Sequence, residues 1–365
     1  MSEGFSYIFS AIRGSQAGRD YYVAMCPLRL IPKIFLFDEE EIPAELRAQR
    51  TLNRSRVPEI AQYLVENREE YVFSALTASV DGVVEFRPAG DEDTLQNLGE
   101  LQIPMSSRFL INDGQHRRAA IEEALKLSPD LGDETIAVVF FVDRGLERSQ
   151  QLFADLNKHA VRPTKSLGIL YDLRDPQSKL ARRLADKVEV FRGLTETEKT
   201  TISNRSIKLF TLSGIYQGTS VLLGKAKHGK VTTKETDLAV EFWNEVGSQI
   251  PDWVAARKRE VAASQLRGEF IHAHGIALHA IGLMGHTLIA EDPKSWKTKL
   301  KKLRSVDWSR SNLELWEGRA LVGGRVSKAH NNVLLTSAVL KKAVGLGLTP
   351  EEERAEVALM ESRQG

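Results

Sequence analysis

The hydrophobic periodicity of this chain of 365 residues changes once along its length, and this change strongly constrains the fold. Up to about residue 142, short apolar runs typical of strands alternate with segments of helical spacing. Beyond about residue 146, nearly every periodic segment is helical. The chain is also longer than most single cores. We therefore predict an α+β protein, with a mixed α/β domain over residues 1–170 and a helical domain over residues 171–365.

The first part of the chain is predicted to combine strands with amphipathic helices. Strand composition is found in the runs YYVAMCPL, IPKIFLF, RFLIN and TIAVVFFV, and YVFSALTASVDGVVEF predicts two strands separated by a turn at Asp81–Gly82. The segment SRVPEIAQYLVEN has helical spacing instead, with Ser55 as its expected N-cap.

The stretch FLINDGQHRRAAIEEAL places reactive side chains where a predicted strand meets a predicted helix. Gly114 allows a sharp turn, and the first N–H groups of the helix would attract an anion. Arg117 and Arg118 would add guanidinium groups suited to phosphate. Asp113 could cap the helix, orient an arginine or hold a metal. The junction therefore predicts a phosphate site.

A structural interpretation of the same residues remains open. In that interpretation Asp113 only caps the helix, Arg117 pairs with a neighbouring carboxylate, and His116 is a half-exposed surface residue. Five consecutive polar residues between two apolar elements favour the functional interpretation.

Composition excludes several classes of protein. The net charge of +1 gives no global argument for nucleic acid or membrane binding, so any basic surface must be local. Cys26 is the only cysteine, which excludes an intramolecular disulfide and a cysteine-based zinc site. No export signal is evident at the N-terminus. A cytoplasmic location is expected.

One apolar run, Ile271 to Ala290, has the length of a membrane crossing. It contains glycines and several histidines, three of which recur every seven residues at His272, His279 and His286. This spacing is too wide for a single metal site. A buried core helix with close packing at Gly275 and Gly282 is the better prediction.

The sequence resembles a known family. Asp113, Gly114, Gln115, His116 and Arg117 spell the signature of the DGQHR-domain family, whose fold is similar to that of ParB and sulfiredoxin proteins. Within that group the chain resembles the DndB family, regulators associated with DNA phosphorothioate modification. The resemblance extends through NRSRVPEIAQYL, FADLNKHAVRPTKSL and WEGRALVGGRVSKAHNNVLL, and covers most of the chain. It implies a repressor of the modification operon that binds double-stranded DNA as an oligomer.

The resemblance also implies roles for individual residues. ParB proteins contact nucleotide phosphates through a Gly-Glu-Arg-Arg corner, where this chain has Gly114, Gln115, His116 and Arg117. The Gln and His differences argue against nucleotide hydrolysis but are compatible with phosphate contact. Sulfiredoxin has its reactive cysteine where this chain has Gln115, so that reductase chemistry is excluded.

The family fold is expected to bring two further segments to this corner, and together they would complete a positive cleft. These segments contribute Asn53, Arg54 and Arg56 before the first helix, and Asn157, Lys158 and Arg162 after the last strand. The alternative is that these side chains are simply solvated on the surface.

Local clusters of basic residues predict where the DNA backbone is held. The predicted contacts are Lys225, Lys227 and Lys230 in a loop, Arg257 and Lys258 on a helix, and Lys297, Lys301 and Lys302 in KSWKTKLKKLR. In the last run, Trp296, Leu300 and Leu303 recur at helical spacing. Its lysines are therefore equally explained as the solvent-exposed face of an amphipathic helix.

Two other functions stay open. In the first, the DGQHR cleft binds a nucleoside triphosphate, or nicks DNA with Asp113 holding a metal and His116 as general base. Glu59 and Asp155 are the carboxylates that could assist, but neither is securely placed. In the second, the chain is an assembly partner of DNA phosphorothioation proteins.

Overall fold

The structure is a computed structural model that describes residues 5–35, 54–93, 95–143, 148–158, 163–226 and 229–364. The chain divides into two compact units, Met1–Val161 and Arg162–Gly365. Each unit has its own hydrophobic core. The mixed sheet and the many helices confirm the predicted α+β class.

The first unit is built on a seven-stranded sheet with the strand order β4-β5-β1-β2-β7-β3-β6. Its strands are β1 (Ser6–Gln16), β2 (Arg19–Pro27), β3 (Leu76–Asp81), β4 (Glu85–Pro88), β5 (Leu98–Pro104), β6 (Arg108–Asp113) and β7 (Thr135–Val142). Its helices are α1 (Ile31–Ile34), α2 (Val57–Glu66), α3 (Gln115–Leu127) and α4 (Ser149–Lys158). β3 and β7 run parallel, whereas the other neighbouring strands are antiparallel.

Three of the predicted strands are confirmed as β2, β6 and β7, but the strand predicted for IPKIFLF is wrong. Its first residues form the short helix α1, and the positions after Phe35 lie outside the described residues. Pro32 lies in the first turn of α1, where its missing N–H is not needed. Ile31 and Ile34 then both enter the core.

The turn at Asp81–Gly82 is present, but the two strands that it separates do not pair with each other. β3 pairs with β6 and β7, whereas β4 pairs with β5 at the other edge of the sheet. β3 is buried from Leu76 to Val80, as suits an inner strand that pairs with a neighbour on either side. β4 is largely exposed and suits an edge.

The predicted amphipathic helix is confirmed as α2, which packs beside α3. Ala61 and Leu64 of α2 share a core with Ala120 and Ile121 of α3. The helix starts one residue later than predicted. Its N-cap is Arg56, rather than Ser55, and no side chain caps it.

The second unit is helical, as predicted for this half of the chain. Its helices are α5 (Lys165–Tyr171), α6 (Pro176–Lys187), α7 (Leu212–Leu222), α8 (Thr233–Gln249), α9 (Pro251–Lys258), α10 (Ala263–Glu269), α11 (Gly275–Glu291), α12 (Trp296–Leu300), α13 (Leu313–Trp316), α14 (His330–Val344) and α15 (Pro350–Gln364). Two short strand pairs accompany them, β8 (Thr195–Glu196) with β9 (Phe210–Thr211), and β10 (Leu321–Val322) with β11 (Arg325–Val326).

The apolar run with the spaced histidines forms α11, which packs closely against α7. A Cβ at Gly282 would lie 2.1 Å from the backbone oxygen of Gly218, so the close packing predicted at this glycine is confirmed. The helix begins only at Gly275, and His272 lies in the short 3-10 turn before it. No helix among the described residues is long and apolar enough to cross a membrane.

Of the three spaced histidines, only His272 is a buried, hydrogen-bonded core residue as predicted; His279 is half-buried, and His286 is exposed but hydrogen-bonded. His272 is fully buried and accepts from Trp253 Nε1 at 3.1 Å through Nδ1, while its Nε2 lies 2.9 Å from the carboxylate of Asp252. His286 Nδ1 lies 3.0 Å from the backbone oxygen of Leu222. These contacts give both side chains a structural role.

The lysine-rich run near residue 300 is amphipathic, as its spacing predicted. Trp296, Leu300 and Leu303 are buried. The helix itself is short, because α12 ends at Leu300 and a 3-10 turn, Lys301–Ser305, continues the run.

Candidate phosphate site at the DGQHR corner

The strand-to-helix corner predicted from the sequence is present between β6 and α3. Gly114 joins the two elements with a φ of 108°, a left-handed conformation that L-residues with a side chain rarely adopt. A Cβ at this position would also lie only 2.4 Å from Leu76 Cδ2. The backbone angle therefore favours glycine at the corner, and an added Cβ would also displace the side chain of Leu76.

Arg117 is held in a defined orientation at this corner. Its Nη2 donates to Asp113 Oδ2 at 2.8 Å and to the backbone oxygen of Ala75 at 3.0 Å. Of the three roles considered for Asp113, the structure shows the orientation of an arginine. The Nε of Arg117 is buried and has no hydrogen-bond partner among the described residues.

The first turn of α3 has N–H groups that no side chain caps. Gly114 is the N-cap, and the first bond of the helix runs from the N–H of Arg118 to the oxygen of Gly114 at 2.9 Å. The N–H groups of Gln115 and Arg117 precede this bond and have no partner within the helix. Together with the positive end of the helix dipole, they form a local environment suited to an anion.

Of the neighbouring side chains, Gln115 and His116 lie at the corner, whereas Arg118 is buried against α1. Gln115 Nε2 donates to the backbone oxygen of Ile111 at 3.2 Å, which keeps this amide at the corner. His116 is half-buried in the first turn. Arg118 is buried, and its guanidinium donates to the backbone oxygens of Phe35 and Pro32. The structure therefore places Arg118 in the packing of α1 against α3.

The start of α2 lies on the same side as the start of α3. Arg68, which follows α2, donates from Nη1 to Ser128 Oγ at 3.1 Å, directly after α3. Because the C-terminal ends of these packed helices meet, the two helices run in the same general direction. Arg56 is exposed at this end of α2. Arg54 begins the 3-10 turn before it, and Asn53 lies outside the described residues.

The C-terminal end of α4 is directed toward the end of β6 that carries Asp113. α4 packs against β6 and starts where Ser149 Oγ donates to Asp143, at 3.4 Å, after the end of β7. The C-terminal end of β7 lies near the N-terminal end of β6. α4 therefore runs back along β6 toward Asp113, which ends β6. Asn157 and exposed Lys158 occupy its last turn. Arg162 lies outside the described residues.

A buried polar pair beneath this corner was not singled out from the sequence. Asn112 Nδ2 donates to Ser79 Oγ at 2.7 Å, and both residues are fully buried. The polar residue that ends the apolar run RFLIN was the available signal. The pair links β3 to β6 immediately before Asp113, and thus supports the position of the corner.

The carboxylates named for a metal-dependent mechanism are dispersed or engaged. Asp113 accepts from Arg117, and Asp155 on α4 accepts from Gln151 Nε2 at 2.6 Å. Glu59 lies in the first turn of α2. Within the described ranges, no three His, Cys, Asp or Glu side chains come together as a metal site.

Several of the predicted DNA-backbone residues are paired with carboxylates. The ion pairs are Lys225 with Glu235 at 2.7 Å, Arg257 with Glu189 at 2.8 Å, Lys258 with Glu260 at 3.9 Å, and Lys297 with Glu241. Lys227 lies outside the described residues. Lys230, Lys301 and Lys302 are exposed, and we find no carboxylate within 4.0 Å of them in the described part of the chain. Among the predicted contacts that the structure describes, these three have no carboxylate partner within the described residues.

Comparison with known proteins adds an independent finding. The family model described as DndB, DNA-sulfur modification-associated, matches residues 9–347 of the chain. No curated protein matches it. No solved structure matches it either. Because the family match extends over nearly the whole sequence, the chain belongs to the DndB family of DNA-sulfur modification-associated proteins.

Proposed function

We propose that the protein is a DNA-binding regulator that represses an operon for DNA phosphorothioate modification. The observation that carries this proposal is the family match over residues 9–347, because it ties nearly the whole chain to DNA sulfur modification. The geometry of the DGQHR corner supports it, since the corner offers the groups that bind a phosphate. We further propose that the protein acts as a cytoplasmic oligomer and associates with DNA phosphorothioation proteins.

The corner would hold a phosphate through backbone N–H groups and an oriented guanidinium. Arg117 keeps its position because Asp113 and the oxygen of Ala75 fix it. The uncapped first turn of α3 supplies donors that need no rearrangement. Arg56 at the start of α2 adds a positive charge from an exposed position. In this proposal the corner contacts phosphate without reading bases.

The helical unit would add contacts to the DNA backbone. Lys230, Lys301 and Lys302 are the exposed residues best suited to this role, because no nearby carboxylate of the described chain competes with a phosphate for their charge. Lys225, Arg257 and Lys297 would first have to leave their ion pairs. We therefore expect the three unpaired lysines to contribute more than the paired ones.

The direct test is fluorescence anisotropy with promoter DNA from the modification operon and with scrambled DNA of equal length, in a series of salt concentrations. A preference for the promoter at physiological salt would support a specific regulator. Equal affinity for both DNAs would contradict it, whatever the salt dependence.

A variant pair tests the corner in the same assay. Arg56→Ala should weaken binding and reduce the slope of log affinity against log salt by about one, as expected for the loss of one phosphate contact. Arg87→Ala is the matched control, because Arg87 is an exposed arginine of β4, at the opposite edge of the sheet from β6. An equal loss in both variants would contradict a role for the corner.

A nucleotide-dependent activity is the second candidate function. The uncapped turn of α3 and the unpartnered Arg117 Nε favour it, because a nucleotide phosphate needs the same donors as DNA. Purified protein would then hydrolyse a nucleoside triphosphate or nick plasmid DNA. Loss of that activity in Asp113→Ala and His116→Ala would establish the enzyme in place of a purely binding role.

A further inference from the structure

A second concave site lies entirely within the helical unit. It is an open cavity of about 730 Å³ between the loop 200–209, α10, the start of α11 and the segment that contains Lys328. Three cationic side chains line it, Arg267, Arg310 and Lys328, together with the hydroxyl groups of Thr200, Thr201 and Ser264. None of the described lining residues is acidic. This composition suits an anion.

The ammonium group of Lys328 lies at the positive end of α11. Gly275 is the first residue of this 17-residue helix, and a Cβ there would lie only 2.9 Å from Lys328 Nζ. The N-cap, His274, provides no side-chain hydrogen bond to the first turn. A cation at a helix N-terminus is repelled by the helix dipole. The Lys328 ammonium group and the positive end of α11 therefore repel each other. An anion bound between them would be attracted by both and would offset this repulsion.

Lys165 adds a second positive charge near this point. Desolvation, and to a lesser extent the charge of Lys165, lower the pKa of Lys328. Neither lysine has a carboxylate within 4.0 Å in the part of the chain that the structure describes. The repulsion is therefore not compensated by an acidic side chain of these residues.

The walls of the cavity are held by the other two cations. Arg267 Nη2 donates to the backbone oxygens of Ser203 at 2.9 Å and Ser206 at 3.1 Å, which fixes the loop 200–209. Arg310 Nη2 donates to the backbone oxygen of Gly324 at 2.9 Å. Lys328 is thus the lining cation that has no partner among the described residues and is available to a ligand.

His274 contributes no charge to the cavity at neutral pH. Its Nε2 lies 2.9 Å from the backbone oxygen of Arg267, and because a carbonyl oxygen only accepts, Nε2 carries the proton. Burial lowers the pKa of His274 to about 4. The positive potential of the site therefore comes from the lysines, the arginines and the start of α11.

We propose that this cavity binds a phosphorylated small molecule of nucleotide size, with its phosphoryl group between Lys328 Nζ and the free N–H groups at the start of α11. A small molecule fits better than a duplex, because the volume is that of a ligand pocket and the site is concave. The hydroxyl groups of the loop would accept or donate hydrogen bonds to the remainder of the ligand. This proposal does not depend on DNA binding.

The test is isothermal titration calorimetry of the full-length protein with AMP, with inorganic phosphate and with a short DNA duplex as separate probes. Lys328→Ala should weaken the binding of AMP by about tenfold or more, as expected for the loss of a charged hydrogen bond. Lys179→Ala is the matched control, since Lys179 is an exposed lysine of the same unit that does not line the cavity. Its affinity for AMP should match that of the unaltered protein.

Hydrogen exchange would locate the site. AMP should slow amide exchange in residues 200–206 and at the start of α11, and Arg117→Ala should preserve this effect. Unchanged affinity in Lys328→Ala would overturn the proposal, as would protection confined to residues 113–118. Binding of the duplex but not of AMP would overturn it as well. Because AMP is the probe, failure of promoter binding would leave a positive result here intact.

Discussion

Arg117 Nη2 lies 2.8 Å from Oδ2 of Asp113, the last residue of β6, and this ion pair spans the glycine at which the chain turns from β6 into α3. The pair orients a guanidinium beside the uncapped first turn of α3. Since Asp113 is about half exposed and Arg117 is more buried, the pair is expected to matter more for geometry than for stability.

Asp113→Asn is expected to weaken the binding of DNA or phosphate while leaving the fold intact. The loss of a partly exposed ion pair should lower the free energy of unfolding by only about 1 kcal/mol or less. Urea unfolding and anisotropy on the same samples measure both quantities. Asp81→Asn is the control, because Asp81 pairs with Arg108 at 2.6 Å at the other end of β3 and β6. A large loss of stability in Asp113→Asn would show that the pair is mainly structural.

Gly114→Ala is expected to destabilise the first unit. The left-handed φ of 108° and the approach of 2.4 Å to Leu76 Cδ2 both oppose a side chain, and together they should cost about 2–4 kcal/mol. Chemical denaturation followed by circular dichroism gives the change. Gly168→Ala in α5 should be neutral or slightly stabilising, since a Cβ there meets nothing within 4 Å. Equal effects would exclude a special requirement at the corner.

Glu352→Ala is expected to be among the most destabilising changes in the second unit. Lys341 Nζ and Glu352 Oε2 are 2.8 Å apart, and both side chains are almost completely buried between α14 and α15. Removal of one partner leaves an uncompensated buried charge, which typically costs about 3–5 kcal/mol. Thermal and chemical unfolding measure the loss. Glu123→Ala, which removes the exposed partner of Lys126, should change stability by less than about 0.5 kcal/mol.

The stability of the protein should fall as the pH decreases from about 6.5 to about 4, in part because of His274. The folded protein keeps this side chain neutral, with a pKa lowered to about 4 by burial, whereas the unfolded chain binds a proton near the ordinary value of 6.5. Its contribution is therefore complete above pH 6.5 and decreases below it, by at most about 1.4 kcal/mol per pH unit. His274→Gln should reduce this slope in urea titrations at several pH values. An unchanged slope would argue against a neutral buried His274.

Cys26 should resist alkylation in the folded protein. It is fully buried in β2, and burial raises the pKa of its thiol to about 12, so the reactive thiolate is scarce at neutral pH. Incubation with iodoacetamide followed by mass spectrometry should show modification only after denaturation. Rapid alkylation of the native protein would indicate that β2 opens readily.

The family, the α+β class and the strand-to-helix corner were all accessible from the sequence, because they depend on local patterns. A signature of five residues identifies the corner, and the requirement for glycine at 114 is a property of one backbone angle. The period of the apolar residues likewise predicted α2 and the helices of the second half. It did not predict β1 or β5. The same apolar pattern also predicted a strand for the residues that form α1, because a short apolar run with a proline is compatible with both a strand and a helix.

Tertiary structure alone decided which charged residues are available. Arg117 and Arg118 are adjacent and alike in sequence, yet successive residues of a helix point in different directions, so one lies at the corner and the other packs against α1. Lys297 meets Glu241, far away in the chain, whereas Lys301 in the same run meets no described carboxylate. Lys328, which lies outside the helices, meets Gly275 only through the long-range packing of the second unit. Periodicity determines which face of an element is buried, but long-range packing determines what each side chain meets there.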